Sequence, residues 1–337
     1  MPEPIGVAVI GLDHWYSAFS VLDQVIAEPG MRLVGLAENN PARLEEARQK
    51  YTPDRATSHY LELLDDEAIE LVFSFVTTAE NVDVCLASLG RGKPTLCVKP
   101  PARTLGDAVA MSGAAEEAGV IWSSFEVSHR LTARSQFLKR ILRDGVIGQP
   151  ISFYHVAHGG LPQPWPDQQG DSWWLDPEKA PGGAWIDHAI YAVDQVRWIM
   201  EWEVESVSAT MANKRHTDLA LEDYGLAWLR LTNGFTAVLE DTWTADVGTR
   251  FDRYIGTEGS LSPDGDGFLV SKRGQTQKLD PPAETRTPFS KIAAAVRGDE
   301  RLPFTHHCSV HNFSACLAAY ESFRTGRHIT PETGPLE

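Results

Sequence analysis

The stretch Gly182-Gly183-Ala184-Trp185-Ile186-Asp187-His188-Ala189-Ile190-Tyr191-Ala192-Val193-Asp194 places acids, an imidazole and a phenol close together. Trp185, Ala189, Ala192, Val196 and Ile199 recur at helical spacing and predict a buried stripe. Asp187, Tyr191, Asp194 and Trp198 fall on another face of the same helix, because residues three and four apart are neighbours. His188 borders that face. Such a set can exchange a proton with a bound hydroxyl. The alternative is a capped helix with its polar residues in solvent.

Lys99 is the other candidate. It follows the apolar run Thr95 to Val98 and precedes Pro100-Pro101. A lysine at the C-terminal end of a parallel strand faces the ligand crevice. The ordinary alternative is a solvated surface lysine.

The elements that must position these groups can be read in order. Ile5 to Ile10 is an apolar run ending at Gly11, a buried strand meeting a tight turn. A helix follows, with Phe19, Leu22, Val25 and Ile26 on its inner face, and Pro29-Gly30 stops it. Strand Arg32 to Ala37 ends at Glu38-Asn39, and helix Pro41 to Tyr51 comes next. Strand Leu71 to Val76, helix Val82 to Leu89, strand Thr95 to Val98, helix Leu105 to Ala118, strand Val120 to Ser124 and helix Thr132 to Asp144 continue the alternation. This is the pattern of a doubly wound parallel sheet.

The pattern changes after the turn Gly145 to Pro150. A strand from Ile151 to His155 leads into a Pro/Gly/Trp-rich loop, Gly159 to Pro181, whose Trp165, Trp173 and Trp174 suit stacking against a ring or filling a core. Alternating segments then run from Val204 to Ser271, with Asn233-Gly234 as a hairpin signal. A last helix from His307 to Thr325 ends at Gly326. The expected architecture is an N-terminal Rossmann domain (residues 1–128) and a C-terminal α+β domain (residues 129–337) with a largely antiparallel open sheet and helices on one face.

A dinucleotide fingerprint needs G-x-G-x-x-G after the first strand and an acid about twenty residues on. The three positions here are Gly11, Asp13 and Tyr16. Asp13 could cap the helix, placing its carboxylate where a pyrophosphate should lie. Two like charges about 4 Å apart cost on the order of 4 kcal/mol at an effective dielectric near 20. A protonated His14 or a rotated Asp13 would relieve this. Glu38, at the end of the second strand, can accept from an adenosine ribose and disfavour a 2′-phosphate, which selects NAD over NADP. The alternative makes Asp13 and Glu38 a cap and a loop acid.

The formal net charge of −16, with no basic patch, excludes nucleic acid as a partner. No apolar run can cross a bilayer and no signal pattern opens the chain, so a cytoplasmic protein is expected. Cys85, Cys97, Cys308 and Cys316 are widely spaced and read as reduced. His307 and His311 have zinc-like spacing, but exposed imidazoles at a helix start explain them as well, and no metal is expected.

Lys99-Pro100, Trp174-Leu175-Asp176-Pro177-Glu178 and Gly182-Gly183 through Asp194 resemble the Gfo/Idh/MocA family, which includes glucose–fructose oxidoreductase and inositol dehydrogenase. The resemblance extends over nearly the whole chain, through Arg130, Gly145-Val146-Ile147-Gly148, Gly256-Thr257-Glu258-Gly259 and Ala318-Ala319-Tyr320-Glu321-Ser322. It implies hydride transfer between a nicotinamide cofactor and a hydroxyl or keto carbon of a sugar, polyol or related cyclic compound. It also implies pairing of the open sheet in a homodimer or homotetramer. The family's E-K-P motif reads Val98-Lys99-Pro100, and its D-x-x-x-H motif reads Asp187 to Tyr191, with tyrosine in place of histidine. Its T-P turn reads Val76-Thr77 and the histidine after it reads Asn81. Departures thus cluster on the cofactor side.

On this basis the cofactor is held by Gly11, Asp13, His14, Trp15, Glu38, Asn39, Val76, Thr77, Asn81, Lys99 and Pro100. The substrate meets Lys99, Trp174, Asp187 and Tyr191. The expected chemistry has Tyr191 exchanging the hydroxyl proton, helped by the charge of Lys99, which also polarises the oxygen. Asp187 orients the substrate or Lys99, and His188 is the competing base. A redox-assisted lyase or glycosidase on the same fold is a second reading. A non-catalytic protein that has lost its cofactor is a third.

Overall fold

Six short strands form the first sheet, five of them buried almost throughout, and the reason is composition. β1 (Ile5–Ile10) reads IGVAVI and is covered on both faces, as a central parallel strand must be. The computed structural model describes residues 3–166 and 170–332. After β1 come α1 (Trp15–Ala27), β2 (Met31–Ala37), α2 (Pro41–Tyr51), β3 (Arg55–Thr57), α3 (Tyr60–Leu64), β4 (Leu71–Ser74), α4 (Thr78–Leu89), β5 (Thr95–Cys97), α5 (Leu105–Ala118) and β6 (Trp122–Ser124). The sheet order is β3-β2-β1-β4-β5-β6, all parallel. The order reverses between β1 and β4, so the crevice opens beyond the C-terminal ends of these strands. Gly11, Glu38, Val76 and Lys99 all stand there.

A 3₁₀ turn, Phe125–Leu131, leads to α6 (Ala133–Arg143) and β7 (Pro150–His158). A second 3₁₀ turn, Trp173–Leu175, precedes α7 (Ala184–Met200). Then follow β8 (Val204–Ala212), β9 (Tyr224–Leu231), β10 (Thr236–Thr242), β11 (Thr249–Gly256), β12 (Gly259–Asp264), β13 (Gly267–Lys272) and β14 (Gln275–Leu279). They form a sheet ordered β14-β13-β12-β11-β7-β10-β9-β8. Every pair is antiparallel except β7 with β10, which is parallel. The Asn233-Gly234 hairpin joins β9 to β10, with Gly234 at φ +85°. α8 (Pro288–Val296) and α9 (His306–Thr325) close the fold.

The sequence pattern missed β3, α3, β14 and α8, which are short or lack a long apolar period. It also placed Ile26 inside, whereas that residue is exposed. α8 returns to the first sheet, where Phe289, Ile292 and Ala293 pack in one core with Val7, Leu22 and Phe73. Residues 167–169 of the tryptophan-rich loop lie outside the described residues.

Candidate active site

α7 is buried nearly all round, which overturns the solvent-facing alternative for its acids. The expected stripe is inside, and so are Ile186, Asp187, Ile190, Asp194 and Arg197. The sheet covers one side and α9 with the 3₁₀ turn the other. The helix start explains the paired glycines. A Cβ on Gly182 would lie 2.0 Å from the Tyr320 hydroxyl, and one on Gly183 would lie 2.1 Å from the Glu222 carbonyl. The first turn has no capping side chain of its own. Glu222 supplies one from a distant loop, accepting from Gly183 N and Trp185 N while Tyr320 donates to the same carboxylate. This satisfies amides that a helix start leaves unpaired, and it fixes where Asp187 stands.

Lys99 donates to the Asp187 carboxylate and to the Asp187 carbonyl. Both residues are buried, so the lysine is not a solvated surface residue. Trp243 Nε1 donates to Asp187 Oδ2 at 3.0 Å, and His188 Nδ1 lies 3.4 Å from the same oxygen. Burial works against the Asp187 charge, but His188, Lys99 and Trp243 together hold its carboxyl well below the usual range. Burial likewise works against the Lys99 charge, and Asp187 and Tyr191 hold its ammonium above the ordinary value. The ammonium also rests over the Trp174 ring (4.8 Å to centroid) and the Tyr191 ring (5.4 Å).

Tyr191 departs from expectation. Burial raises its phenol, outweighing the opposite pull of Lys99. Lys99 gives two of its three donors to Asp187, and burial prevails at Tyr191, so the phenol keeps its proton at neutral pH. His188 behaves differently. Asp187 favours its charged form, but burial with Lys99, Arg250 and His155 prevails and lowers the imidazole below its usual value. A neutral His188, oriented by Asp187, is therefore the group ready to accept a proton.

These residues line a cavity of about 920 Å³, together with His14, Trp15, Tyr16, Gln195, Arg250 and Asp252. Trp174 is 1 % exposed and forms no part of its wall. It supports Lys99 from behind instead. Arg250 and Asp252 escaped the sequence reading. Their signal was the alternation along β11, in which every second residue faces inward. Asp194 lies outside the cavity, held by Arg130, His129 and Asn312. His311 contacts Arg197 and Glu203, while His307 lies against His306, so the spaced pair does not converge.

A second cavity of about 760 Å³ lies over the ends of β1, β2 and β4, lined by Gly11, Asp13, Glu38, Asn39, Val76 and Thr77, among others. Gly11 has φ +78°, and a Cβ there would come within 2.4 Å of Val76. Only glycine lets the two turns approach this closely. Glu38 accepts from Leu12 N and Asn40 N, both at 2.8 Å, and so binds the two turns at the mouth.

Asp13 does not cap α1. His14 occupies the cap position without a side-chain bond, and the Asp13 carboxylate pairs with Arg43 at 3.2 Å. That pairing removes the expected clash with an anion. His14 is not protonated either: burial and the charge of Lys99 push its imidazole down to about 3. Its Nε2 meets the Tyr16 hydroxyl at 3.2 Å, while buried Nδ1 has no partner. Trp173 Nε1 donates to the Asp13 carbonyl at 3.0 Å.

The two cavities share no lining residue, and the Asp13–His14 turn belongs to one on each side. The lining of the two cavities, with the unpartnered His14 Nδ1 on the turn between them, would suit a dinucleotide. Asn81 and Pro100 line neither cavity. Asn81 is wholly buried, bonding Ser74 Oγ and the Pro101 carbonyl, and thereby holds the turn after Lys99.

Residues 5–125 match the model described as oxidoreductase family, NAD-binding Rossmann fold. Residues 135–262 match the GFO/IDH/MocA C-terminal domain. Among curated proteins, the chain is 28 % identical to 1,5-anhydro-D-fructose reductase of Ensifer adhaerens, covering 81 % of this chain and 83 % of that one. It is 24 % identical to scyllo-inositol 2-dehydrogenase (NAD(+)) of Bacillus subtilis strain 168, over 98 % and 97 %. Among solved structures, aldose-aldose oxidoreductase from Caulobacter crescentus complexed with glycerol superposes with TM-score 0.84 at 21 % identity, over 97 % of this chain and 100 % of that one. Levoglucosan dehydrogenase in complex with NADH and levoglucosan gives 0.83 at 20 %, over 98 % and 100 %.

Proposed function

As this chain belongs to the GFO/IDH/MocA family of oxidoreductases, we propose that it transfers a hydride between NAD and a hydroxyl- or keto-bearing carbon of a sugar, polyol or related cyclic compound. The observation that carries this is the Lys99–Asp187–His188 cluster at the wall of the larger cavity. NAD, when bound, supplies the hydride acceptor. Gly11, Val76 and Thr77 would hold it, and Glu38 would meet its adenosine ribose, where a 2′-phosphate would face a carboxylate.

His188 takes the hydroxyl proton in oxidation and returns it in reduction. Its Nδ1 faces Asp187, which leaves Nε2 for the substrate. Lys99 polarises the substrate oxygen, and its charge favours the developing alkoxide. Asp187 fixes both partners. Tyr191 donates a hydrogen bond from a phenol that stays protonated. This exchanges the roles first expected for Tyr191 and His188, because the observed environment raises the phenol and lowers the imidazole.

The division at residues 128 and 129 is supported by the family-model ranges, which leave 126–134 between them. The outward face of the second sheet exposes Tyr154 and Phe251. We assign it to a homodimer or homotetramer contact. No helix of the described residues is long and apolar enough to cross a membrane, and the four cysteines are free. Both fit a reducing cytoplasm.

The test is titration of the cofactor-stripped protein with NADH and NADPH, read by energy transfer from its ten tryptophans. A screen of sugars and polyols for reduced nicotinamide follows. Saturable binding, tighter for NADH, with turnover of a polyol, is the expected result. No binding of either nucleotide would overturn the reading. Product formed with no net nicotinamide change would replace it with the redox-neutral lyase.

A further inference from the structure

Behind the Lys99–Asp187 pair lies a set of charged groups that the proton exchange above does not use. Asp241 on β10 is wholly buried, and neither carboxylate oxygen has a hydrogen-bond partner. His155 on β7 is also buried, and its Nε2 is unpartnered. That nitrogen stands 3.9 Å from Asp241 Oδ2. The other ring nitrogen, Nδ1, lies 2.6 Å from Asp252 Oδ1 on β11, and Asp252 lines the larger cavity. The three side chains thus lead from a sealed position to the cavity wall.

The strand pattern makes this placement costly. Phe153, His155 and Ala157 on β7, Ala237, Leu239 and Asp241 on β10, and Asp252 and Tyr254 on β11 alternate on one inward face. Asp241 is opposite Ala157, and His155 is opposite Asp252. Their neighbours on that face are core residues. A buried polar group without a partner costs free energy, so a structural explanation for Asp241 is lacking. A buried carboxyl escapes most of that cost by keeping its proton. Burial, with the Asp187 and Asp252 charges, raises the Asp241 carboxyl well above the usual range, against the pull of Arg250 and Lys99.

The groups that face Asp241 are Asp187 on α7, Lys99 after β5, Arg250 and Asp252 on β11, His155 on β7 and Cys316 on α9. His188 in turn feels His155.

We propose that Asp241, His155 and Asp252 form a proton relay that supplies a counter-charge behind the active site when His188 takes up the substrate proton. In the resting site, His155 carries its proton on Nδ1, donated to Asp252, and offers Nε2 to the acid proton of Asp241. As His188 becomes an imidazolium, the Asp241 O–H bond breaks and an N–H bond forms at Nε2. The Nδ1–H bond then breaks and an O–H bond forms on Asp252. Two protons each move one place, the net result is the transfer of one proton from Asp241 to Asp252, and nothing is oxidised or reduced. A carboxylate now stands at Asp241 in place of the one at Asp252, and when Asp252 releases its proton to water in the cavity the set carries one more negative charge than at rest, which balances the new charge on His188. Closing the 3.9 Å gap needs a side-chain rotation of about an ångström, to normal hydrogen-bond distance. Asp241 is a positioning residue in this scheme, since it acts through His188.

This inference rests on the oxidoreductase reading, yet its first test needs no turnover. The infrared difference spectrum of wild type minus Asp241→Asn at neutral pH should show a protonated carboxyl band, separate from any band of the buried Glu126 and Glu222, whose carboxyls burial also raises and which both proteins share. Absence of that band from the difference overturns the proposal. The second test uses the substrate found in the screen. Asp241→Asn and Asp252→Asn should each lower kcat by about tenfold or more, with KM and NADH affinity kept. Both should also abolish a part of the solvent isotope effect and shift the pH profile of kcat. Unchanged kcat and pH profile in either variant would overturn the relay. If no nucleotide binds at all, the functional reading fails, while the infrared band still reports on the Asp241 proton.

Discussion

Two aspartates on α7, seven residues apart, carry buried ion pairs in different surroundings. Asp194 is sealed. Arg130 grips it with two nitrogens, and His129 and Asn312 fill its remaining acceptor positions. Its partners reach into other elements, so the pair ties the 3₁₀ turn, α7 and α9 together. Asp187 is also buried and also low in pKa direction, but it lines the larger cavity itself, as do its partners Lys99 and His188, whereas Asp194 does not and only His129 among its partners reaches that wall. The lesson is that burial and a perturbed pKa do not by themselves mark a catalytic acid. What separates the two is whether the acid itself, with its charged partners, faces a space where a substrate can sit.

That contrast can be broken at its structural end first. Asp194→Ala leaves the Arg130 guanidinium buried without its carboxylate, which should cost about 3–5 kcal/mol of stability, read as a large fall in the denaturant midpoint. A small fall would mean that Asp194 is not the tie described. At the catalytic end, His188→Ala should lower kcat by about 10²–10⁴-fold, with melting and NADH affinity near wild type. Should kcat survive, Tyr191 takes back the role of acid–base group.

Tyr191→Phe sharpens the comparison with a smaller effect. Losing one hydrogen bond to the substrate should cost about 0.5–1.5 kcal/mol, near tenfold at most, measured as kcat/KM on the same substrate. The smallest effects are in pH. His188 must be neutral to act as base, and its pKa lies below 6.5. Oxidation should therefore stay level as pH falls to that value and decline only below it. Asp194 gives the opposite kind of profile, in stability. Its folded pKa is depressed below the ordinary 3.8. Its contribution is present above the unfolded value and is lost as pH falls below it toward the folded one. Urea titrations at several acid pH values, wild type against Asp194→Asn, should converge as pH drops.

The cofactor side and the substrate side differed in how well they could be read. Gly11 and Glu38 were legible because a tight turn after a buried strand admits few residues, and the acid follows at a fixed distance. Asp13 and His14 were left open by the sequence, and of the two ways to relieve the clash the structure has the turned Asp13 and not the protonated His14. Whether Asp13 caps the helix or turns to Arg43 depends on a residue thirty positions away, and the state of His14 depends on Lys99 and on burial. On the substrate side, Lys99 and Asp187 stood out by position. Arg250, Asp252 and Asp241 did not, although polar residues at inward positions of a strand were a usable signal. Short elements such as β3 and β14 offer too few residues to show a period.

The sequence by itself determined the periods: five of the six parallel strands with helices between, a turn that only Gly11 can make, and a helix with an acid in its first turn. These are local, set by backbone sterics and by apolar spacing along one chain segment. Tertiary structure alone decided which acid was sealed and which faced a cavity. Glu222 had to arrive from a loop to cap α7, and Lys99 from the other sheet to pair with Asp187. Charge state in a buried site follows from neighbours distant in sequence, because desolvation and Coulomb interactions depend on space and not on order along the chain.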